Sequence, residues 1–201
     1  MKSKPYVIDI KLIKPLFNGL ICDPYFFPLN VFNERAIIFL RRNYEGMIKE
    51  IRRQLGSAAE TLLYLMGYNI GVNYYEKGGK IIAGRDLDKL IRLTIESIKQ
   101  IGLGIIEIEE INSEKLEATV KIHQSSECEL FKKSKKPESH FIRGIMAGWI
   151  SQLFKSKVEV TEVKCIAKGD PYCQFKIKFI SEEKERIKEM LKAISEILKS
   201  K

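Results

Sequence analysis

The chain lacks any apolar run approaching the ~20 residues that a membrane-spanning helix needs. Its start, Met1-Lys2-Ser3-Lys4-Pro5, is not followed by the sustained apolar stretch of a secretory signal. A cytoplasmic location is therefore expected. Cysteine is scarce: Cys22, Cys128, Cys165 and Cys173 are the four in 201 residues, too few to staple so long a chain as a disulfide framework. Cytoplasmic conditions also disfavour disulfides outside hyperthermophiles. There is no Gly-x-Gly-x-x-Gly fingerprint, no P-loop and no Gly-x-Ser-x-Gly elbow, so the common nucleotide-binding and serine-hydrolase machineries leave no trace.

What the chain does have is the composition of a folded protein, 45% hydrophobic and 30% charged. A formal charge of +9 raises the question of nucleic acid, and basic residues do pair up at Arg41-Arg42, Arg52-Arg53, Lys132-Lys133 and Lys135-Lys136. Acidic residues are interleaved through most of the predicted helices, however, and no nucleic-acid motif is present. A solvated basic surface is the simpler reading, with neither nucleic acid nor a membrane as partner.

Residues 1–35 are rich in proline and aromatics and read as an N-terminal arm that packs on the domain or on a partner subunit. Ala36-Ile37-Ile38-Phe39-Leu40 is a short continuous apolar run, a buried-strand candidate. Helical spacing then begins at Tyr44 and carries Ile48, Ile51 and Leu55 up to Gly56. A second helix is expected over Ser57–Tyr75, with Ala58, Leu62, Leu65, Met66 and Ile70 inward and a capping box from Ser57 and Glu60. A third follows from Asp86 to about Ile101. Period-two alternation in Ile106, Ile108, Leu116, Ala118, Val120 and Ile122 predicts two antiparallel strands joined around Asn112-Ser113. A helix over Ser139–Phe154, two strands around a Gly-Asp-Pro turn, and a final helix opened by Ser181 complete the pattern. The expectation is one α+β domain over 36–201, a mainly antiparallel sheet packed against helices, with the arm of 1–35 as a dimer element.

Gly67-x3-Gly71 and Gly144-x3-Gly148 point first to close helix packing, and alternatively to room for a ligand. Met66, Tyr74, Phe141, Met146 and Trp149 lie on the same helices and are the candidates to line an apolar pocket, although an ordinary core uses such residues equally. His123 and His140, each taken alone, are ordinary hydrogen-bonded or surface histidines more often than ligands.

The most informative segment runs from Glu162 to Phe175. Cys165 and Cys173 stand eight residues apart across Gly169-Asp170-Pro171, which sets them roughly opposite each other if that turn closes a hairpin. Opposed Cβ atoms about 4.5–5.5 Å apart suit two thiolates on one zinc, and with modest adjustment a disulfide. In a regular strand Glu162 would face away from Cys165. The apolar pattern changes register here, with Val158 and Val160 before and Val163, Cys165 and Ala167 after. A β-bulge near Thr161–Glu162 would account for that change and turn the carboxylate toward the thiols.

The run Glu162-x2-Cys165-x3-Gly169-Asp170-x2-Cys173-x-Phe175, preceded by Gly144-x3-Gly148, resembles the 4-vinyl-reductase domain family. Related sensor domains occur in aromatic-responsive bacterial transcription activators, and the vesicle-tethering TRAPP subunits are similar in fold. The signature covers residues 139–180, and a weaker likeness through Gly56, Gly67 and Gly71 extends it upstream to about residue 40. The resemblance implies a small-molecule-binding domain, often dimeric, whose sensor members hold zinc with cysteines and a glutamate. Matched by position, Glu162, Cys165 and Cys173 would be ligands. The further cysteine usual just before the glycine-containing helix stands here as Ser139, which leaves His140 beside it, Cys128 upstream, or water for the fourth place; His140 completes the expected set.

The function so implied is a cytoplasmic homodimeric binding module for a small apolar or aromatic molecule, acting as sensor, carrier or scaffold. One alternative is an enzyme or enzyme subunit reducing a tetrapyrrole vinyl group, for which the sequence shows no motif for a hydride or electron donor. The other is a TRAPP-like assembly protein.

Overall fold

The structure is a computed structural model that describes residues 30–31, 34–35, 37, 39–79, 86–131 and 133–199. The chain divides into two units, Met1–Phe39 and Leu40–Lys201. Within the first, strands β1 (Asn30–Val31) and β2 (Glu34–Arg35) pair antiparallel. Most of the expected arm, Cys22 included, lies outside the described residues.

The second unit runs α1 (Arg41–Leu55), α2 (Ala58–Asn73, continued by a π-turn over Tyr74–Gly79), α3 (Leu87–Gln100), β3 (Ile105–Asn112), β4 (Glu117–His123), α4 (His140–Phe154), β5 (Lys157–Lys164), β6 (Cys173–Ile180) and α5 (Lys184–Lys199). The four strands form one antiparallel sheet in the order β3-β4-β6-β5. This is the α+β architecture that the periodicities predicted. Alternation assigns the faces of the sheet. Val120, Ile122, Val160, Phe175, Ile177 and Phe179 are buried in the core, whereas Lys176 and Lys178, between them on β6, are exposed. Helices α3, α4 and α5 complete that core with Leu90 and Ile91, Ile142 and Phe154, and Ile187, Leu191 and Ile194. No described helix is long and apolar enough to cross a membrane.

Three local expectations are corrected. Ile37, Phe39 and Leu40 are exposed and belong to no strand, and Leu40 instead precedes the first turn of α1; five apolar residues give no periodicity by which to tell a buried strand from a linker. Ser57 makes no side-chain cap, because its own backbone is already helical (φ −66°, ψ −26°), and Glu60 pairs with Lys136 instead. The inward face of α2 is also different: Ala59, Leu63, Gly67 and Gly71 are buried, while Ala58, Leu62, Leu65 and Ile70 are exposed. The helix is apolar on all sides, so its pattern carries no directional signal. Its orientation is set by glycines, since α2 and α4 meet backbone to backbone. A Cβ on Gly67 would sit 2.1 Å from the Phe141 carbonyl oxygen, and one on Gly148 would sit 2.1 Å from that of Tyr68. The packing reading of the two Gly-x3-Gly pairs is the observed one. Tyr68 Oη and Ser151 Oγ, 3.0 Å apart, add a hydrogen bond across this crossing.

Candidate metal centre and apolar cavity

The bulge that the sequence requires is present, one residue later than expected. Glu162 pairs with Phe175 and Lys164 with Gln174, so Val163 is the extra residue and is exposed rather than inward. Residues paired across a ladder share a face, and Phe175 is fully buried; Glu162 therefore faces the interior. The extra residue switches the alternation once, and Cys165, three positions on, comes to the same side. Beyond the strand, Ile166–Lys168 make a 3-10 turn, and Gly169 takes φ +100°, a conformation that favours glycine. Asp170 ties the loop down: its carboxylate accepts from the Cys165 N–H at 2.7 Å, while its own N–H donates to the Cys165 carbonyl.

The structure brings Glu162, Cys165 and Cys173 together and adds Cys128, from a 3-10 turn (Cys128–Leu130) after β4. One donor atom from each of the four lies within 4.8 Å of the others. The three cysteines are fully buried, and none is in a disulfide. The sulfurs of Cys128 and Cys165 are 3.4 Å apart. Four donors around a tetrahedral zinc, about 2.3 Å from each sulfur, would stand about 3.8 Å from one another, so the set matches a small, soft, four-coordinate ion. Ser139 fills out the cluster. Its hydroxyl donates to Glu162 Oε1 at 2.8 Å and lies 2.8 Å from Cys128 Sγ, and its backbone N–H donates to Glu162 Oε2 at 3.1 Å.

The place given to His140 in the sequence reading is thus taken by Cys128. The His140 imidazole faces Glu60 and Glu138, 3.9 Å from each, and burial pushes its pKa down. It is the first residue of α4, and its neighbour Ser139 takes the position beside the thiols. Glu138 is in turn held by Arg52, Nη1 to Oε2 at 2.5 Å, with the guanidinium stacked 4.0 Å over Phe131.

Electrostatically the cluster is poised for a cation. The Cys165 thiol is pulled down strongly by hydrogen bonds from Cys128 and Cys173, and the same bond to Cys165 drives Cys128 up. Cys173 is pushed up to about 12: its contact with Cys128 lowers it, but the contact with Cys165 and burial outweigh that. Burial raises Glu162 to about 8. One thiolate is easily formed and further negative charge is resisted, an imbalance that a divalent ion reverses.

A second carboxylate, Glu127, caps α4 from the same turn as Cys128. It accepts from the Phe141 and Ile142 N–H groups at 3.0 and 2.9 Å, and burial raises it to about 7. Its folded pKa exceeds the ordinary carboxylate value, so the folded chain holds a proton that the unfolded chain releases. Stability from this group is therefore full below about pH 4.5 and lost as pH rises through about 7. Glu127→Gln, which cannot ionise, should gain in Tm relative to the parent between pH 5 and pH 8. Parallel melting curves across that range would show that the carboxylate has an ordinary pKa.

On the other side of α4 lies an apolar cavity of about 150 Å³, bounded by α3, α4, α5 and the inner face of the sheet. Of the sequence candidates, Tyr74, Met146 and Trp149 line it. Met66 and Phe141 are not among its lining residues; Phe141 packs against Tyr44, ring centroids 6.0 Å apart. Sequence reasoning missed the isoleucines of the opposite wall, including Ile91, Ile95, Ile98 and Ile106. Their periodicity marked an inward face without showing that the face borders a void.

An α+β domain with a buried thiol–carboxylate cluster at one end of a central helix and an apolar cavity beside that helix is a defined class of structure. The chain belongs to the 4-vinyl-reductase domain family, whose pattern matches residues 118–179. It is 30% identical to the uncharacterized protein MJ1460 of Methanocaldococcus jannaschii over 65% of this chain and 72% of that one. Among solved structures it is similar to the phenol-responsive sensory domain of the transcription activator PoxR, crystallised with phenol. That likeness has a TM-score of 0.67 and 18% identity, covering 78% of this chain and 84% of the other. It is also similar to trafficking protein particle complex subunit 3 from Naegleria fowleri, covalently bound to palmitic acid. There the TM-score is 0.53 and the identity 16%, over 70% of this chain and 93% of the other. At these identities the two structures share a fold with this chain.

Proposed function

We propose that this protein is a cytoplasmic binding module for a small apolar or aromatic molecule, stabilised by zinc held between Cys128, Glu162, Cys165 and Cys173, and that it acts as a sensor. The observation that carries the binding reading is the cavity of about 150 Å³, enclosed almost wholly by aliphatic and aromatic side chains. Cavities of about this volume with apolar linings stay dry and admit single-ring hydrocarbons. The phenol bound by PoxR and the palmitic acid on the Naegleria fowleri subunit are in keeping with apolar guests on this fold. Zinc is favoured by the donor set: three thiols with one carboxylate is a soft, tetrahedral combination, and with no open position it serves structure rather than catalysis.

A homodimer belongs to the same reading. The outer surface of α2 exposes Leu62, Leu65 and Ile70, and Glu60 is the single charged residue of that helix. An uncharged apolar face in a chain of which 30% is charged suits contact with a second subunit. Residues 1–35 belong to this reading as a further dimer element.

The cavity reading is tested by titrating the purified chain with toluene. Trp149 is the sole tryptophan, so its emission should shift in a saturable manner, with an accompanying rise in Tm. Native mass spectrometry reads bound metal and subunit number on the same sample. Absence of a saturable response to toluene would sink the reading.

A further inference from the structure

We propose that the guest of this cavity is a neutral molecule with a hydrocarbon body and one hydrogen-bond acceptor, which the indole N–H of Trp149 binds. The inference rests on the cavity being a binding site and goes on to name the chemistry that the site selects.

The cavity offers very little polarity. No Lys, Arg, His, Asp or Glu lines it, so an ion inside would be desolvated without a counter-charge and is excluded. Three lining residues carry polar side-chain atoms. The Thr94 hydroxyl donates to the Leu90 carbonyl at 2.8 Å and is satisfied within its own helix. The Tyr74 hydroxyl is engaged with Ser97. Trp149 differs from both: its Nε1 is buried and meets no acceptor among the described residues. Tyr75 packs edge-to-face against the indole, centroids 6.1 Å apart, and fixes the plane of the ring.

Buried polar groups in folded proteins nearly always find a partner, and an exception calls for a reason. Indole nitrogen is a donor only. A guest that satisfies it must bring a lone pair and has no use here for a donor of its own. The volume, about 150 Å³, limits the rest of the guest to roughly one ring or a short chain. Aryl or alkyl ketones, ethers and esters meet these demands. Carboxylates and amines do not.

Ethylbenzene and acetophenone have nearly the same shape and differ by one acceptor oxygen, and benzoate adds charge. With the full chain, calorimetric titration should show acetophenone binding about tenfold more tightly than ethylbenzene, the factor that one net hydrogen bond of ordinary strength supplies. Benzoate should not bind. Trp149→Phe keeps an aromatic wall and removes the donor, and should bring the two neutral probes within about twofold of each other. A readout independent of the variant is the indole ¹H–¹⁵N resonance of the parent chain, unique because the tryptophan is. It should move downfield with acetophenone and much less with ethylbenzene. Equal affinities with equal indole shifts would overturn the acceptor inference and leave the cavity as a plain hydrocarbon site. Failure of both neutral probes to bind would overturn the binding reading, and this inference with it.

Discussion

Gly148→Ala should unfold most of the protein at 37 °C, with a loss of more than about 4 kcal/mol, the range reserved for severe core disruption. The added Cβ would lie 2.1 Å from the Tyr68 carbonyl oxygen and 2.9 Å from its carbon. These are backbone atoms in the middle of α2, and they cannot turn aside as a side chain would. The contact is not isolated. Gly144 meets the Tyr64 carbonyl at 2.2 Å, Gly67 that of Phe141 at 2.1 Å, and Gly71 that of Ile145 at 2.1 Å. Relieving one clash by moving the helices apart would open the other three and cost their dispersion contacts together. Melting of the variant by circular dichroism checks the expectation, and a loss below about 1 kcal/mol would show that the helices are not in backbone contact. Gly46→Ala is the natural control, because nothing lies within 4 Å of a Cβ placed there. It should be neutral or slightly stabilising in the middle of α1.

The second large effect concerns the thiol cluster. Cys128→Ser should abolish stoichiometric zinc and lower Tm by about 8–16 °C. That figure takes zinc at a thousand times its Kd, worth about 4 kcal/mol, and about 2–4 °C per kcal/mol for a chain of this size. Cys165→Ser should do the same. His140→Ala should keep a full complement of metal, since its imidazole faces Glu60 and Glu138 instead. Metal analysis of reduced, freshly prepared protein decides between them. Zinc retained in Cys128→Ser and lost in His140→Ala would restore the assignment that sequence adjacency suggested.

These two effects also show where the sequence was readable. Helices α3 and α5 announced themselves through a one-sided apolar stripe, and β3 and β4 through alternation, because in each case a single face is buried. The α2 segment gave no such contrast. With apolar residues all round, the large side chains were assigned inward, whereas the buried side is the one with the smallest residues, Gly67 and Gly71. Close packing was legible in the Gly-x3-Gly spacing, but the direction of packing was not.

At the cluster, Glu162, Cys165 and Cys173 come from a single hairpin, and the break in alternation pointed to the bulge that unites them. Cys128 belongs to a different turn, 34 residues before Glu162, and reaches the others only through the tertiary fold. No local spacing encodes a contact of that kind. His140 was adjacent to the right position in sequence, but the start of a helix sends consecutive side chains in different directions. The cavity was legible in part. Tyr74, Met146 and Trp149 could be named from α4 and the end of α2, but the facing isoleucines could not be told from ordinary core, since a void leaves no mark on periodicity.

The glycine crossing has a further consequence for the cavity on the opposite side of α4. That helix is braced against α2 along its back, and its first turn is tethered by Glu127 and, through Ser139, by Glu162. It forms the stiff wall of the chamber. Any swelling needed to admit a guest must therefore come from α3, α5 and the edge strand β3, which face it. A bound molecule would be registered as an outward displacement of those three elements, with α4 as the fixed anvil against which they move.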